Sequence, residues 1–361
     1  MKTWVKLLGL LLCFANTVLY AQNSARQIHI IWLMHNDSPF WKMSQHIAAE
    51  AAQDFKMQTT FLLATPGDRL SSAKLVEKTL KELKKDPGTS YYLAMYGSFF
   101  DFDKILTLAA EKEVPLFLYN SRPPMVLQAR KGTAVQVLGG LYPDDEQAGY
   151  AEAKALIAEA RRQKKPEPLH MLALGGWNRD TVDEQRHAGL AKAVKEEGVI
   201  LDQYFQTRWD PEVAKGLVER ARQKFSDTHI IWTVADYLGI AALEALGKAA
   251  DQYTVGGIDW SSDGLASLQK KDGLFVSVGG HFIDPAYLSA VIYDYHQGLD
   301  FASIYPKAEI LSRLSVLDRS QVDNYRKRFP EEAWGRIDFS QLSRTVSKKA
   351  NYSFSFDSLK P

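Results

Sequence analysis

Aromatic rings and planar polar side chains recur together in several short segments of this sequence. Residues 36–41 read Asn-Asp-Ser-Pro-Phe-Trp, and later segments place arginine, aspartate or asparagine close to tryptophan or tyrosine. An aromatic ring can cover the apolar face of a sugar, whereas carboxylate, amide and guanidinium groups pair with its hydroxyls in fixed directions. The sequence therefore predicts a site for a small sugar-like ligand. The candidate ligand-binding residues are Asn36, Ser38, Phe40, Trp41, Tyr96, Asn120, Trp177, Arg186, Asp236, Asp259, Trp260 and His281.

Some of these residues also have a purely structural explanation. Ser38 or Asp37 would cap a helix that starts near Phe40, and Trp41 would fit an ordinary core. His281 either makes the pocket sensitive to pH or is simply a hydrogen-bonded residue at the end of a strand. The combination of residues in both halves of the chain is more specific than any one of them.

The sequence contains none of the common catalytic motifs. It has no Gly-x-Ser-x-Gly elbow, no Walker loop and no His-Glu-x-x-His metal motif, and its single cysteine, Cys13, lies in an apolar stretch. Asp236 and Asp259 are a carboxylate pair to weigh for glycoside hydrolysis, but Arg186 and Asn120 favour recognition of hydroxyls. We therefore expect a binding protein that is not an enzyme and uses no cofactor and no metal.

Strands that alternate with helices must position these side chains. Ile28–Met34 is rich in β-branched residues and predicts a strand, and the apolar spacing of Phe40–Lys56 predicts a helix. This alternation continues to about residue 298 and restarts near residue 144. Alternating strands and helices indicate parallel sheets covered on both faces. Ligands of such sheets bind beyond the carboxyl ends of the strands, where the candidate residues stand.

The first residues have the pattern of an export signal. Lys2 and Lys6 precede an apolar run to Tyr20, and Ala21 offers a small residue at the cleavage point. We expect residues 1–21 to be a signal peptide and the mature protein to be periplasmic; a retained membrane anchor and lipidation at Cys13 are the alternatives. Without residues 1–21 the net charge changes from +1 to −1, which gives no electrostatic case for nucleic acid as a partner.

These segments resemble the periplasmic sugar-binding proteins of the ribose/galactose type, which are type I periplasmic binding proteins, and also the related autoinducer-2 receptor. The resemblance covers nearly all of residues 27–310. Residues 36–41 resemble the polar-Pro-aromatic-aromatic segment of the family, which implies that Trp41 stacks on the ligand with Phe40 beside it. Residues 115–120, Pro-Leu-Phe-Leu-Tyr-Asn, resemble a strand that ends in a ligand-binding side chain, which implies that Asn120 binds the ligand.

The second half carries three further resemblances. Residues 183–190 match a helix start whose arginine grips ligand oxygen, which implies this role for Arg186. Residues 255–264 match a segment whose first aspartate binds ligand, which implies Asp259, and residues 234–243 match a segment that contains Asp236. Ala235, Gly280 and Tyr96 depart from the residues usual in the family. The identity of the ligand therefore stays open.

The resemblance implies an α/β protein with two doubly wound parallel-sheet lobes joined by a three-crossover hinge. We expect residues 27–142 plus 280–305 in the N-terminal lobe, residues 143–279 plus 306–320 in the C-terminal lobe, and residues 321–361 as an extension. The crossovers are expected near Tyr142-Pro143, Gly279-Gly280 and Tyr305-Pro306. The lobes of such a monomer close on the sugar, and the closed form is presented to the membrane permease of an ABC importer. A membrane sensor, such as a histidine kinase or a cyclic-nucleotide signalling enzyme, is the alternative partner.

Overall fold

The computed structural model describes residues 26–35, 38–63, 72–83, 86–97, 101–122, 137–178, 180–299 and 309–359. Its strands are β1 (Gln27–Met34), β2 (Gln58–Leu63), β3 (Thr89–Tyr96), β4 (Leu116–Tyr119), β5 (Val137–Pro143), β6 (His170–Gly175), β7 (Ile200–Gln206), β8 (Thr228–Thr233), β9 (Thr254–Asp259), β10 (Val276–Gly279), β11 (Glu309–Ser312) and β12 (Ser315–Asp318). Its α-helices are α1 (Pro39–Asp54), α2 (Ser72–Leu83), α3 (Phe102–Glu111), α4 (Asp145–Arg162), α5 (Thr181–Glu197), α6 (Pro211–Lys224), α7 (Asp236–Leu246), α8 (Ser262–Leu268), α9 (Asp284–His296), α10 (Val322–Arg328) and α11 (Arg344–Ser347).

The strands form two six-stranded sheets, one in each lobe. The first sheet has the order β11-β5-β4-β3-β1-β2 and is parallel throughout. The second has the order β12-β10-β9-β8-β6-β7, and only its edge strand β12 runs antiparallel to its neighbour. Trp32 in β1 and Trp232 in β8 are fully buried, one in each sheet. The predicted fold class is thereby confirmed.

Most helices bury an apolar side against these sheets, whereas α9 is buried on nearly all sides. In α1, Pro39 occupies the first turn, where its missing N–H is not needed, and Trp41, Ile47 and Ala51 are buried. Among the described helices, none combines the length and the apolar character needed to cross a bilayer. The predicted signal peptide, residues 1–21, lies outside the described residues.

The chain passes between the two sheets at three points. The first lies between Pro143 and Asp145, where a strand of the first sheet is followed by α4. The second lies at Gly279-Gly280, and Gly280 has a φ of 101°, a backbone conformation that glycine adopts without steric cost.

The third passage differs from the expectation. It lies between Ser312 and Ser315, because β11 pairs with β5 in the first sheet and β12 pairs with β10 in the second. Residues 309–312 therefore belong to the N-terminal lobe, whereas the sequence placed 306–320 in the C-terminal lobe. Tyr305-Pro306, the expected position, lies outside the described residues. The extra strand explains the difference, since it joins the first sheet at its edge before the chain crosses.

Residues 319–359, here called the C-terminal strap, pack against both lobes. Helix α10 lies beside the second lobe, where Asp323 accepts a hydrogen bond from Gln269. The strap then reaches the first lobe, where the backbone N–H of Phe339 donates to Asp54 of α1 at 2.7 Å. Phe339 and Phe356 are buried. The strap is thus part of the folded core rather than a loose surface tail.

Candidate ligand-binding site

The first lobe contributes a cluster of aromatic rings at the carboxyl ends of its strands. The Trp41 indole meets the rings of Phe40 and Tyr96 edge-on, each at a centroid distance of 5.3 Å, and Tyr119 at 6.0 Å. His35 packs on Tyr96 at 5.2 Å. Edge-to-face contacts of this kind stabilise aromatic pairs beyond their burial. Trp41 and Tyr96 are therefore brought together, and Trp41 is largely buried, as an ordinary core residue would be.

The hinge residue His281 connects this cluster to the second lobe. Its ring lies 4.8 Å from the Phe40 ring, and its Nε2 is 3.5 Å from Oδ1 of Asp259. Burial, followed by the nearby Arg186 charge, holds the pKa of His281 well below its usual range. The imidazole is therefore neutral at neutral pH. In the described part of the chain its Nδ1 is buried without a hydrogen-bond partner.

A buried ion-pair network forms the floor of the site in the second lobe. Nε of Arg186 donates to Asp145 at 2.7 Å, and Nη1 donates to the carbonyl of Val234 at 2.6 Å. The same Nη1 lies 3.5 Å from Oδ1 of Asp259. Arg186 is 4% exposed, and its guanidinium lies between the carboxyl groups of Asp145 and Asp259 in a desolvated place. Such an arginine fixes the orientation of the carboxylate that faces the cleft.

The carboxylates of this network are held in an unfavourable environment. Burial raises the pKa of Asp259 to about 8 and that of Asp145 to about 6, and Arg186 opposes both shifts. The backbone at Asp259 adds strain, since its φ is 129° in a residue other than glycine. Backbone strain and perturbed pKa values often occur at functional sites. They persist only where the surrounding structure enforces them. The raised pKa and the strained backbone make Asp259 a candidate for a functional role.

Asp236 lies next to this network, but its carboxyl group accepts hydrogen bonds from other residues of the protein. It accepts hydrogen bonds from Oγ of Ser277 at 2.6 Å and from the N–H and Oγ of Ser261 at 2.9 and 3.1 Å. Asp236 has no exposed surface. Its contacts join the start of α7 to the turn before α8. They fit a structural role better than the ligand contact that the sequence predicted.

The two predicted tryptophans of the second lobe lie in different surroundings. Trp260 is 5% exposed and packs against Tyr325 and Phe356 of the C-terminal strap at 5.1 and 5.0 Å. Trp177 is 49% exposed, and the guanidinium of Arg208 lies 5.8 Å from its ring centroid. The structure therefore does not gather these two rings with Trp41.

Of the remaining predicted residues, Asn120 lies near the lobe boundary. Asn120 has a φ of 63°, the left-handed region that asparagine tolerates better than most residues, and it follows β4 directly. The next residue, Ser121, is buried and its hydroxyl lies 3.1 Å from that of Thr181 in the other lobe. Ser38 precedes α1 but makes no capping hydrogen bond through its side chain. Asn36 lies outside the described residues.

Three residues at the same edge of the second sheet escaped the sequence analysis. Nε1 of Trp209 donates to Asp180 at 3.0 Å, and the hydroxyl of Tyr237 donates to the Trp209 carbonyl at 3.4 Å. Trp209 follows β7, as Trp177 follows β6. The Trp-Asp-Pro sequence at 209–211, a strand end followed by a helix start, was the available signal. Among the described residues, no group of three or more His, Cys, Asp or Glu has the geometry to hold a metal ion.

No protein-family model and no curated protein matches this sequence. Solved structures do match. A periplasmic sugar-binding protein from Pseudomonas fluorescens is 24% identical with a TM-score of 0.73, and the match covers 91% of this chain and 97% of that one. A solute-binding protein of an ABC transporter from Bacillus halodurans, with bound myo-inositol, is 16% identical with a TM-score of 0.67 over 84% and 98% of the chains. Another, from Actinobacillus succinogenes with bound D-allose, is 18% identical with a TM-score of 0.65 over 83% and 100%. The chain thus has the type I periplasmic binding protein fold.

Proposed function

We propose that this protein is a periplasmic solute-binding protein that encloses a small neutral sugar or sugar-like polyol between its two lobes. The observation that carries the proposal is a continuous path of contacts from one lobe to the other. It runs from Trp41 and Phe40 in the first lobe through His281 to Asp259 and Arg186 in the second. Rings lie at one end of this path and oriented polar groups at the other. That division matches the apolar faces and the hydroxyl rim of a sugar.

The charges of the site favour a neutral ligand. Arg186, the buried cation of the network, is already paired with Asp145 and lies 3.5 Å from Asp259. His281 carries no charge at neutral pH because burial lowers its pKa. Asp145 already neutralises Arg186, so this network offers an anionic ligand no unpaired positive charge. Hydroxyls, in contrast, can donate to Asp259 and leave the network intact.

Hinge closure is the mechanism that this architecture supports. Three crossovers connect the lobes, and Gly280 gives one of them a backbone conformation that few other residues adopt. A ligand that contacts both lobes stabilises the closed form by its differential affinity for the two states. Binding and release then follow the opening angle of the hinge, without a bond being made or broken. We accordingly propose that the protein is not an enzyme.

The closed form would be delivered to the permease of an ABC importer. The transporter context of the matched solute-binding proteins supports this partner, and two of those structures hold a cyclitol or a sugar. A membrane sensor remains the second candidate, since the autoinducer-2 receptor shares the sequence resemblance. Neighbouring permease and ATPase genes favour import, whereas a kinase or cyclase gene favours sensing.

Native mass spectrometry of the purified protein tests the proposal directly. We expect a copurified mass in the range of a monosaccharide. A thermal-shift panel of neutral sugars and cyclitols, with sugar phosphates and uronic acids as the anionic comparison, then identifies the class. At a ligand concentration of 100 times Kd, the native state should gain about 2.7 kcal/mol. A protein stabilised by none of the neutral compounds, or only by the anionic ones, would contradict the proposal.

A further inference from the structure

The turn after β9 holds an unfavourable backbone conformation. Asp259 and Trp260 are consecutive residues other than glycine, with φ values of 129° and 58°. L-residues adopt such angles only when the surrounding structure enforces them. The direction of the Asp259 carboxylate depends on this turn. The contacts that hold Trp260 in place therefore also fix the position of Asp259.

Hydrogen bonds within the second lobe hold one side of the turn. Nε1 of Trp260 donates to the Ser277 carbonyl at 3.0 Å, and the backbone N–H of Trp260 donates to Oγ of Ser277 at 3.3 Å. A side chain at Gly279 would come within 2.6 Å of the Trp260 ring. The indole therefore packs closely against β10, the strand that leads into the hinge.

The C-terminal strap holds the other side. Tyr325 and Phe356 meet the Trp260 indole at 5.1 and 5.0 Å. Phe356 also contacts Phe282, which follows the hinge, at 5.8 Å, and a Cβ at Gly280 would lie 3.0 Å from it. Phe356 is 3% exposed. One ring of the strap therefore packs on the Asp259–Trp260 turn and on the hinge crossover together.

The strap can serve as a rigid support because its far part is fixed to the first lobe. Asp294 of α9 accepts hydrogen bonds from the backbone N–H groups of Arg344 and Thr345 and from the hydroxyls of Ser343 and Tyr352. A charged acceptor that serves four donors is a strong anchor. Phe354, two residues before Phe356, stacks on Tyr287 of the same helix at 4.6 Å.

We propose that Trp260 is a positioning residue and that the C-terminal strap, through Phe356 and Tyr325, holds the Asp259 carboxylate in its binding orientation. The strap then supports ligand binding indirectly, through Trp260, although it supplies no ligand contact itself. This inference rests on the proposed function, in which Asp259 receives the sugar hydroxyls. It differs from the role predicted for Trp260 from the sequence, because the indole is covered by the strap.

Phe356→Ala and Phe354→Ala form a matched pair for the test. Both remove a buried phenylalanine of the strap, but only Phe356 touches Trp260. We expect Phe356→Ala to weaken binding of the best neutral sugar at least tenfold by calorimetry, and Phe354→Ala to change it less than twofold. Phe356→Leu provides a milder change in case the alanine variant does not fold, and Trp260→Phe should retain more affinity than Trp260→Leu.

A second measurement needs no ligand. Carboxyl-¹³C NMR of protein labelled at aspartate follows the titration of Asp259, whose signal is assigned by its loss in Asp259→Asn. The midpoint should move in Phe356→Ala or Phe356→Leu and stay in place in Phe354→Ala. Equal behaviour of the Phe356 and Phe354 variants in either measurement would overturn the inference. If the wild type binds no sugar, the proposed function fails, and the NMR comparison still decides whether the strap positions Asp259.

Discussion

Replacement of Asp259 by Asn should stabilise the free protein and weaken ligand binding at once. The carboxyl is 14% exposed and lies 3.5 Å from both Arg186 and His281. Burial raises its pKa to about 8, and Arg186, whose charge is shared with Asp145, opposes the shift only in part. Asn keeps the shape of the side chain, so the substitution changes the charge and not the packing. It cannot ionise, so the cost of the buried charge disappears.

The size of the gain follows from proton linkage. In the unfolded chain Asp259 ionises near pH 4, whereas in the native state it stays protonated until about pH 8. The native state therefore binds the extra proton between these values, and stability falls as pH rises through this window. At about 1.4 kcal/mol per pKa unit, the cost is on the order of a few kcal/mol above pH 8. Asp259→Asn should remove this cost.

Urea unfolding of both proteins from pH 4 to pH 9 measures the difference. We expect curves that coincide near pH 4 and separate as pH rises, with the variant more stable. Sugar affinity, measured by calorimetry at pH 9, where Asp259 is ionised, should fall at least tenfold, because an amide offers one acceptor oxygen where a carboxylate offers two.

Asp202→Asn is the matched control for affinity. Asp202 lies in the same lobe and accepts hydrogen bonds from His170 and Thr228, which begin β6 and β8 at the opposite edge of the sheet. Its replacement should leave sugar affinity unchanged. Parallel pH curves for wild type and Asp259→Asn would refute the reasoning on burial. Undiminished affinity in Asp259→Asn would remove this residue from the site.

Two further substitutions distinguish a residue that binds the ligand from a residue that stabilises the fold. Trp41→Ala should cost about 1–3 kcal/mol of binding free energy by calorimetry, because the ring that covers the ligand and braces Phe40 and Tyr96 is lost; unchanged binding would count against its stacking role. Asp236→Ala should lower the unfolding free energy in urea by about 2–4 kcal/mol, since Ser277 and Ser261 lose a buried acceptor. A variant as stable as the wild type would show that these bonds contribute nothing net.

The sequence alone determined the fold class and the proximity of several candidate residues. The spacing of the apolar residues and the residue composition predict alternating strands and helices. This order of elements indicates parallel sheets. Residues that follow parallel strands must meet at one edge of the sheet. Arg186, Asp259 and His281 could therefore be predicted as neighbours without coordinates, and they are neighbours in the structure.

Only the tertiary structure decided the roles of the remaining candidates. Asp236 and Trp260 have the residue types of a sugar site, but their hydrogen bonds and ring contacts are made inside the fold. The sequence of the strap shows no alternation of strands and helices from which its lobe could be predicted. Its position depends on contacts between residues far apart in the chain, such as Phe356 with Trp260 and Phe339 with Asp54. Local periodicity reports which side of an element is apolar; it does not report which distant surface covers that side.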